Sequence, residues 1–159
     1  MLGVHAEAGS QNLIDMLRKL IIYSAVMIAA STSIAAQSVY TPEKGSAERT
    51  AILNALRIPV ERDLKQKIVF AANHFKVQGN WAYLSGTPQN AAGGRPDYRN
   101  TKYWEAVDAG AFDHNFFALL KKTGGKWKVT RYAIGCTDVC YADWWQEFKA
   151  PKAIFPFMG

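Results

Sequence analysis

The chain has 159 residues, of which 49% are hydrophobic and 20% are charged. This balance is typical of a folded globular protein and excludes an intrinsically disordered one. The length predicts one domain together with any processed segment. The formal net charge of +6 suits an acidic partner such as nucleic acid, anionic lipid or a cell-wall polymer.

The basic residues are scattered along the sequence, so we expect no nucleic-acid partner. The tightest group of basic residues lies around one turn, and a solvated hairpin explains it more simply than a binding patch does. This group consists of Lys121, Lys122, Lys126 and Lys128. A polymer-binding surface would instead require several cations of that hairpin on one contiguous face, beside an exposed tryptophan. These cations are Lys121, Lys126, Lys128 and Arg131.

Residues 16–36 have the pattern of a secretory signal peptide. Arg18 and Lys19 are followed by an apolar run without charge and then by small residues, which predicts cleavage near Ala35 or Ala36. The apolar run is roughly half the length that a membrane-spanning helix needs. We therefore expect a periplasmic or secreted protein with no stable membrane anchor after cleavage.

The same pattern divides the chain. Residues 1–15 carry neither a charge pattern nor a periodicity, and we interpret them as an upstream extension before a start at Met16. Residues 37–159 are the predicted mature domain, a single α+β unit.

The mature part begins with a predicted helix. Ser46 suits the N-cap position and Glu48 the first turn. Pro59 predicts either a kink or the start of a second short helix. Apolar residues at four-residue spacing form one stripe of this helix, namely Ile52, Leu56, Val60 and Leu64.

Two β-hairpins are predicted next, because runs of β-branched and aromatic residues are joined by glycine-containing turns. The predicted strands are 67–77 and 81–86, joined at Gly79-Asn80, and 116–122 and 126–134, joined at Gly124-Gly125.

The connection between the hairpins is predicted as a long polar loop over residues 88–100 and a short helix from Thr101 to Ala109, closed by Gly110. Beyond the second hairpin, Asp143 and Gln146 resemble a capping box for another short helix, predicted from Trp144 to Lys149.

The order of elements predicts an α+β fold. In it a long N-terminal helix packs on one face of a four-stranded antiparallel sheet made of two hairpins. Short helices lie in the middle connection and near the C-terminus. We expect the apolar tail, residues 153–157, to dock on the body.

Two stretches, residues 75–83 and 119–129, resemble the strand–Gly-x-Trp–strand hairpins of the NTF2-like and cystatin-like superfamily. Residues 132–139, followed by Asp143-Trp144, look like a narrower group of uncharacterised exported bacterial proteins. The resemblance spans roughly residues 43–156, and its motifs are turns and strand ends. Since that superfamily hosts isomerases, dehydratases and binding modules, the resemblance implies a fold and leaves the activity open.

Cys136 and Cys140 are the only cysteines. In an oxidising compartment an even count favours a disulfide. Four positions along one straight strand span about 13 Å, which is too far for a bond, so a disulfide requires a turn between them. Two free thiols or a metal site are the alternatives, and we expect no metal.

Candidate catalytic residues are His74, Asp138 and Asp143. A histidine in a strand beside an aspartate is the pattern of an acid–base pair in a small cavity enzyme. A hydrogen-bonded structural histidine and aspartates in turns and caps explain the same residues more simply.

Since no recognisable catalytic constellation is present, we expect a non-catalytic module without a cofactor, which binds an unknown small molecule or an exported protein. Neither the sequence pattern nor the composition fixes an oligomeric state. The candidate binding residues are aromatic, namely Trp81, Tyr83, Trp144 and Trp145.

Overall fold

The structure is a computed structural model that describes residues 37–156. The predicted extension (1–15), the signal peptide (16–36) and its cleavage point near Ala35 or Ala36 lie outside the described residues. The elements in chain order are α1 (Ala47–Leu64), β1 (Ile68–Gln78), β2 (Trp81–Asn90), α2 (Trp104–Asp108), β3 (Phe116–Thr123), β4 (Lys126–Ile134), α3 (Trp144–Glu147) and a 3-10 turn (Lys152–Ile154).

The four strands form one open antiparallel sheet in the order β1-β2-β3-β4, so that β1 and β4 are its edges. Helix α1 packs on one face of this sheet. The α+β class, the antiparallel sheet and a helix on its face are thus as predicted. Between residues 37 and 156, no helix has the length and apolar character that crossing a bilayer requires.

Helix α1 begins as its sequence predicts, because the Ser46 hydroxyl accepts a hydrogen bond from the Arg49 amide at 3.2 Å. Its apolar stripe is completely buried against the sheet. Pro59 lies inside the helix and does not start a second one. The helix ends at Lys65, whose φ of 55° places it in the left-handed region.

Strand β2 continues beyond the predicted end at residue 86 and reaches Asn90. Beyond Gly86 it pairs with β1 alone, because β3 begins opposite Gly86. A strand with one free side tolerates Pro88, which has no N–H to donate. The polar loop is correspondingly shorter than predicted, and the Asn90 side chain orders it by accepting hydrogen bonds from the amides of Ala92 and Gly94.

The two short helices are shorter than predicted. α2 does not include Thr101, whose hydroxyl instead bonds the Tyr98 carbonyl and the Tyr103 amide. The predicted capping box at α3 is absent, since the Asp143 side chain makes no capping hydrogen bond. The segment from residue 136 to 156 folds back over the sheet face opposite α1. Both faces therefore carry a buried apolar cluster.

Candidate functional site

The sheet face opposite α1 holds most of the residues that the sequence singled out. Opposed residues in an antiparallel pair point to the same face. Trp81 is opposite Lys121, and Lys121 is opposite Lys128, so these three side chains form a row across β2, β3 and β4. Tyr83 and Leu119 form the next row with Arg131.

The C-terminal segment buries the middle of this face. Tyr83 is 0% exposed, and its ring centroid lies 4.6 Å from that of Phe155 and 5.3 Å from that of Tyr141. Trp144 is 4% exposed. Both aromatic side chains are therefore core residues, which leaves Trp81 and Trp145, each half-buried, as the candidates that a ligand can reach.

His74 makes a structural contact. Its Nε2 lies 2.7 Å from the backbone oxygen of Ile154, and since a carbonyl only accepts, Nε2 carries the hydrogen and donates it. The ring also meets the edge of Tyr83 at 5.6 Å between centroids. His74 thus fastens the 3-10 turn to the edge strand β1.

The aspartates that sequence analysis paired with His74 are engaged elsewhere. Asp138 accepts a hydrogen bond from the Val139 amide in its own turn at 2.6 Å. Asp143 is exposed at the start of α3. Among the hydrogen bonds and ion pairs of residues 37–156, none joins His74 to either aspartate. A cleft of about 340 Å³ does lie beside His74, but its charged lining is Glu43, Lys44, Arg49 and Lys76.

The exposed cations of the second hairpin share one face of the sheet. We name Lys121, Lys126, Lys128 and Arg131 the cationic strip; all four are exposed. Lys126 is opposite Thr123, which lies two residues from Lys121 on the same side of β3. Strand geometry spaces such residues about 5 Å apart across strands and ~7 Å apart along them.

A β-bulge places Arg131 in the strip. In a regular strand, residues three apart point to opposite faces. The register between β3 and β4 shifts at Leu119/Leu120, so that Leu119 is opposite Arg131 while Leu120 is opposite Val129. Thr130 is the extra residue, and its insertion returns Arg131 to the face of Lys128.

The strip carries uncompensated charge. In the part of the chain from residue 37 to 156, no ion pair includes any of its four residues, whereas other lysines are neutralised. Lys122 lies 3.7 Å from Glu48, and Lys102 lies 2.5 Å from Asp63. Beside the strip, the Lys121 ammonium stands 4.8 Å from the Trp81 ring centroid. A positive field therefore extends over this face next to an apolar indole.

A second feature adjoins the strip at the outer edge of β4. A cleft of about 450 Å³ is lined by Pro59 of α1, by Lys102 and Tyr103, and by residues 129–132. We call it the edge cleft. Arg131 belongs to both the strip and the edge cleft, so the two meet at this residue.

Asp63 anchors the wall of the edge cleft. Its side chain is 11% exposed and accepts hydrogen bonds from Lys102 and from the Tyr132 hydroxyl, both at 2.5 Å, with the Tyr103 hydroxyl at 3.4 Å. Burial alone would raise the pKa of Asp63, but the bonds from Lys102 and Tyr132 outweigh it and lower that pKa. Burial and the nearby carboxylate raise the pKa of Tyr132 to about 12. The carboxylate is therefore ionised and the tyrosine neutral at pH 7.

Sequence analysis missed this network. Asp63 is in α1, Lys102 precedes α2 and Tyr132 is in β4, so that only the tertiary fold brings them together. An aspartate one position from the buried Leu64 was the available signal, and it is weak.

Cys136 and Cys140 form the predicted disulfide, with their Cα atoms 6.3 Å apart across a turn. The backbone oxygen of Cys136 also accepts a hydrogen bond from the side-chain amide of Asn115 at 2.7 Å. The disulfide therefore lies at the start of the segment that covers the second face, and the hydrogen bond from Asn115 connects this start to the residue preceding β3.

Comparison of the chain with protein-family models, with curated proteins and with solved structures finds no match in any of the three.

Proposed function

We propose that this domain is a non-catalytic binding module whose ligand is an acidic polymer, bound along the cationic strip. One observation carries the proposal: four exposed cations, none of them in an ion pair within residues 37–156, lie on one face beside the half-buried indole of Trp81. On the sequence criterion, a polymer binder requires these cations on one contiguous face beside an exposed tryptophan. The shared face supports the proposal, while the tryptophan beside it is half-buried and not fully exposed.

A polymer suits the strip better than a single small anion does. An exposed ionic contact contributes only about 0.2–1 kcal/mol and is screened by salt. Several such contacts along one chain add, because after the first contact the others form within the same complex. The strip offers a row of cations at strand spacing, along which successive charges of one polymer can bind.

The alternative function, a small cavity enzyme of the NTF2-like type with a His74–aspartate pair, lacks support from the geometry. His74 donates to a backbone carbonyl, and both candidate aspartates make other contacts or face solvent.

We also propose that the protein is exported and cleaved near Ala35 or Ala36, and that it works in the periplasm or outside the cell. The disulfide supports this location, since disulfides persist in oxidising compartments. The resemblance to the NTF2-like and cystatin-like superfamily likewise stays a proposal, supported by a helix that packs on an antiparallel sheet.

Binding of the purified protein to polygalacturonate, a polymer with one carboxylate per sugar, tests the function by calorimetry at low and at high salt. The double variant K128Q/R131Q removes two charges from the strip. We expect its affinity to fall about 2- to 30-fold, because two exposed contacts of ~0.2–1 kcal/mol each are lost.

The matched control is K44Q/K65Q, which removes the same charge from two exposed lysines outside the strip. An equal loss of affinity in the control, or binding that is indifferent to salt, would contradict the proposed function.

A further inference from the structure

The edge cleft contains polar groups that the strip does not. The strip presents only cations and an indole, whereas the edge cleft adds three hydroxyl groups, those of Tyr103, Thr130 and Tyr132. Pro59 and Val129 supply apolar carbon to its lining, and Lys102 and Arg131 supply positive charge. A cleft that mixes hydroxyls with apolar carbon suits a ligand that does the same.

Asp63 determines whether the tyrosine hydroxyls of the cleft donate or accept hydrogen bonds. A carboxylate is an acceptor only, so the Tyr132 hydroxyl, 2.5 Å away, must donate its single hydrogen to Asp63. The lone pairs of that hydroxyl then remain for a ligand. Tyr132 therefore presents an acceptor to a ligand, and it keeps this orientation because the tyrosine stays neutral and the aspartate ionised at pH 7.

The cations of the edge cleft, in contrast, offer hydrogen-bond donors to a ligand. Lys102 uses one of its three hydrogens on Asp63 and keeps two. Arg131 is exposed, and its guanidinium, which is in no ion pair of residues 37–156, has only donors. The cleft thus offers fixed acceptors for ligand hydroxyl groups and free donors for a ligand carboxylate, with Thr130 able to serve either.

We propose that the edge cleft binds one sugar unit of the polymer, so that the ligand is an acidic polysaccharide, with the adjoining units lying along the cationic strip. A sugar acid carries hydroxyl donors, a carboxylate and apolar C–H faces within one ring, which matches the lining of the cleft. Arg131 joins the two parts because it lines the cleft and belongs to the strip. This inference rests on the proposed function and names the class of its ligand.

The experiment compares two kinds of polyanion of similar length and charge. Polygalacturonate and alginate carry hydroxyls and sugar rings, whereas poly-L-glutamate carries the carboxylates alone. We expect the better of the two polysaccharides to bind at least ~10-fold more tightly than poly-L-glutamate, because a site built to bond hydroxyls discriminates against a ligand without them.

The variant T130V tests the cleft itself, because it removes a hydroxyl and keeps a β-branched side chain in the strand. We expect it to weaken polysaccharide binding about 3- to 10-fold and poly-L-glutamate binding by a smaller factor, because poly-L-glutamate has no hydroxyl group for the cleft to bond. The control T50V makes the same change at an exposed position of α1, outside the cleft.

The outcomes separate the two proposals. Equal affinities for all three polymers, with strip variants weakening each of them, would overturn the sugar inference and leave the proposed function standing. Tighter binding of poly-L-glutamate would indicate an acidic polypeptide ligand and would also overturn it. Absence of binding to any of the three would overturn both.

Discussion

The two faces of the sheet are covered in different ways. One continuous helix covers the first face with four buried side chains at regular spacing. The second face is covered by an irregular segment, which includes one turn of helix, one 3-10 turn and a disulfide. It buries Tyr83 and Leu119, but at the hairpin end it leaves Trp81 half-buried and Lys121 and Lys128 exposed.

Because the two faces are covered differently, we expect the first to contribute mainly to stability and the open end of the second to contribute to ligand recognition. The helix face is a closed core, in which no side chain of the apolar stripe is available to a ligand. The second face is closed only in the middle, and its open end carries exposed cations that form no ion pair among the described residues, 37–156. We expect mutations on the first face to change the free energy of unfolding, and mutations at the open end of the second to change binding alone.

The largest expected effect is on the helix face. Leu56 is completely buried between α1 and the sheet, and L56A should lower the free energy of unfolding by about 2–5 kcal/mol through lost burial and the cavity left behind. Urea denaturation measures this.

The matched control on the same helix is I58A, because Ile58 is 74% exposed. Its cost should be within about 0.5 kcal/mol, as for other surface substitutions. Similar losses for the two variants would mean that the helix is not held by its buried stripe.

The helix face was predictable because its information is local. Side chains four positions apart share one side of a helix, so the stripe from Ile52 to Leu64 can be identified without knowing what it packs on. The turns at Gly79-Asn80 and Gly124-Gly125 can be identified from local sequence in the same way. The strands β1 and β4 beside these turns agree with their predicted bounds to within one residue.

The second face was less predictable because its information is not local. The alternation rule alone would have placed Arg131 away from Lys128, and only the bulge at Thr130 returns it. The burial of Tyr83 depends on Phe155, more than 70 residues later. Asp63, Lys102 and Tyr132 likewise meet only through the tertiary fold.

A smaller loss is expected where α1 meets the edge strand β4. The variant Y132F removes a hydrogen bond to the ionised Asp63 and should cost about 1.5–3 kcal/mol of unfolding free energy at pH 7. The pKa of Asp63 is lowered in the folded state, so its contribution is present above the unfolded pKa of about 4 and is lost as the pH falls through the folded value.

The difference between wild type and Y132F should therefore shrink below about pH 4. Urea denaturation at neutral and at acidic pH tests this. A difference independent of pH would mean that Tyr132 contributes by packing and not through the carboxylate.

The smallest expected loss is on the second face. The bond between Cys136 and Cys140 closes a loop with a sequence separation of 4, and a loop this short restricts the unfolded chain by at most about 2 kcal/mol. The double variant C136S/C140S should lose no more than that, while it frees the start of the segment that covers Tyr83.

Hydrogen exchange then compares the two faces: exchange should accelerate more in residues 141–155 than in α1, since local opening precedes global unfolding. Equal acceleration in both would show that the two faces open as one cooperative unit, and the separation of stability from recognition would then have to be drawn within the second face alone.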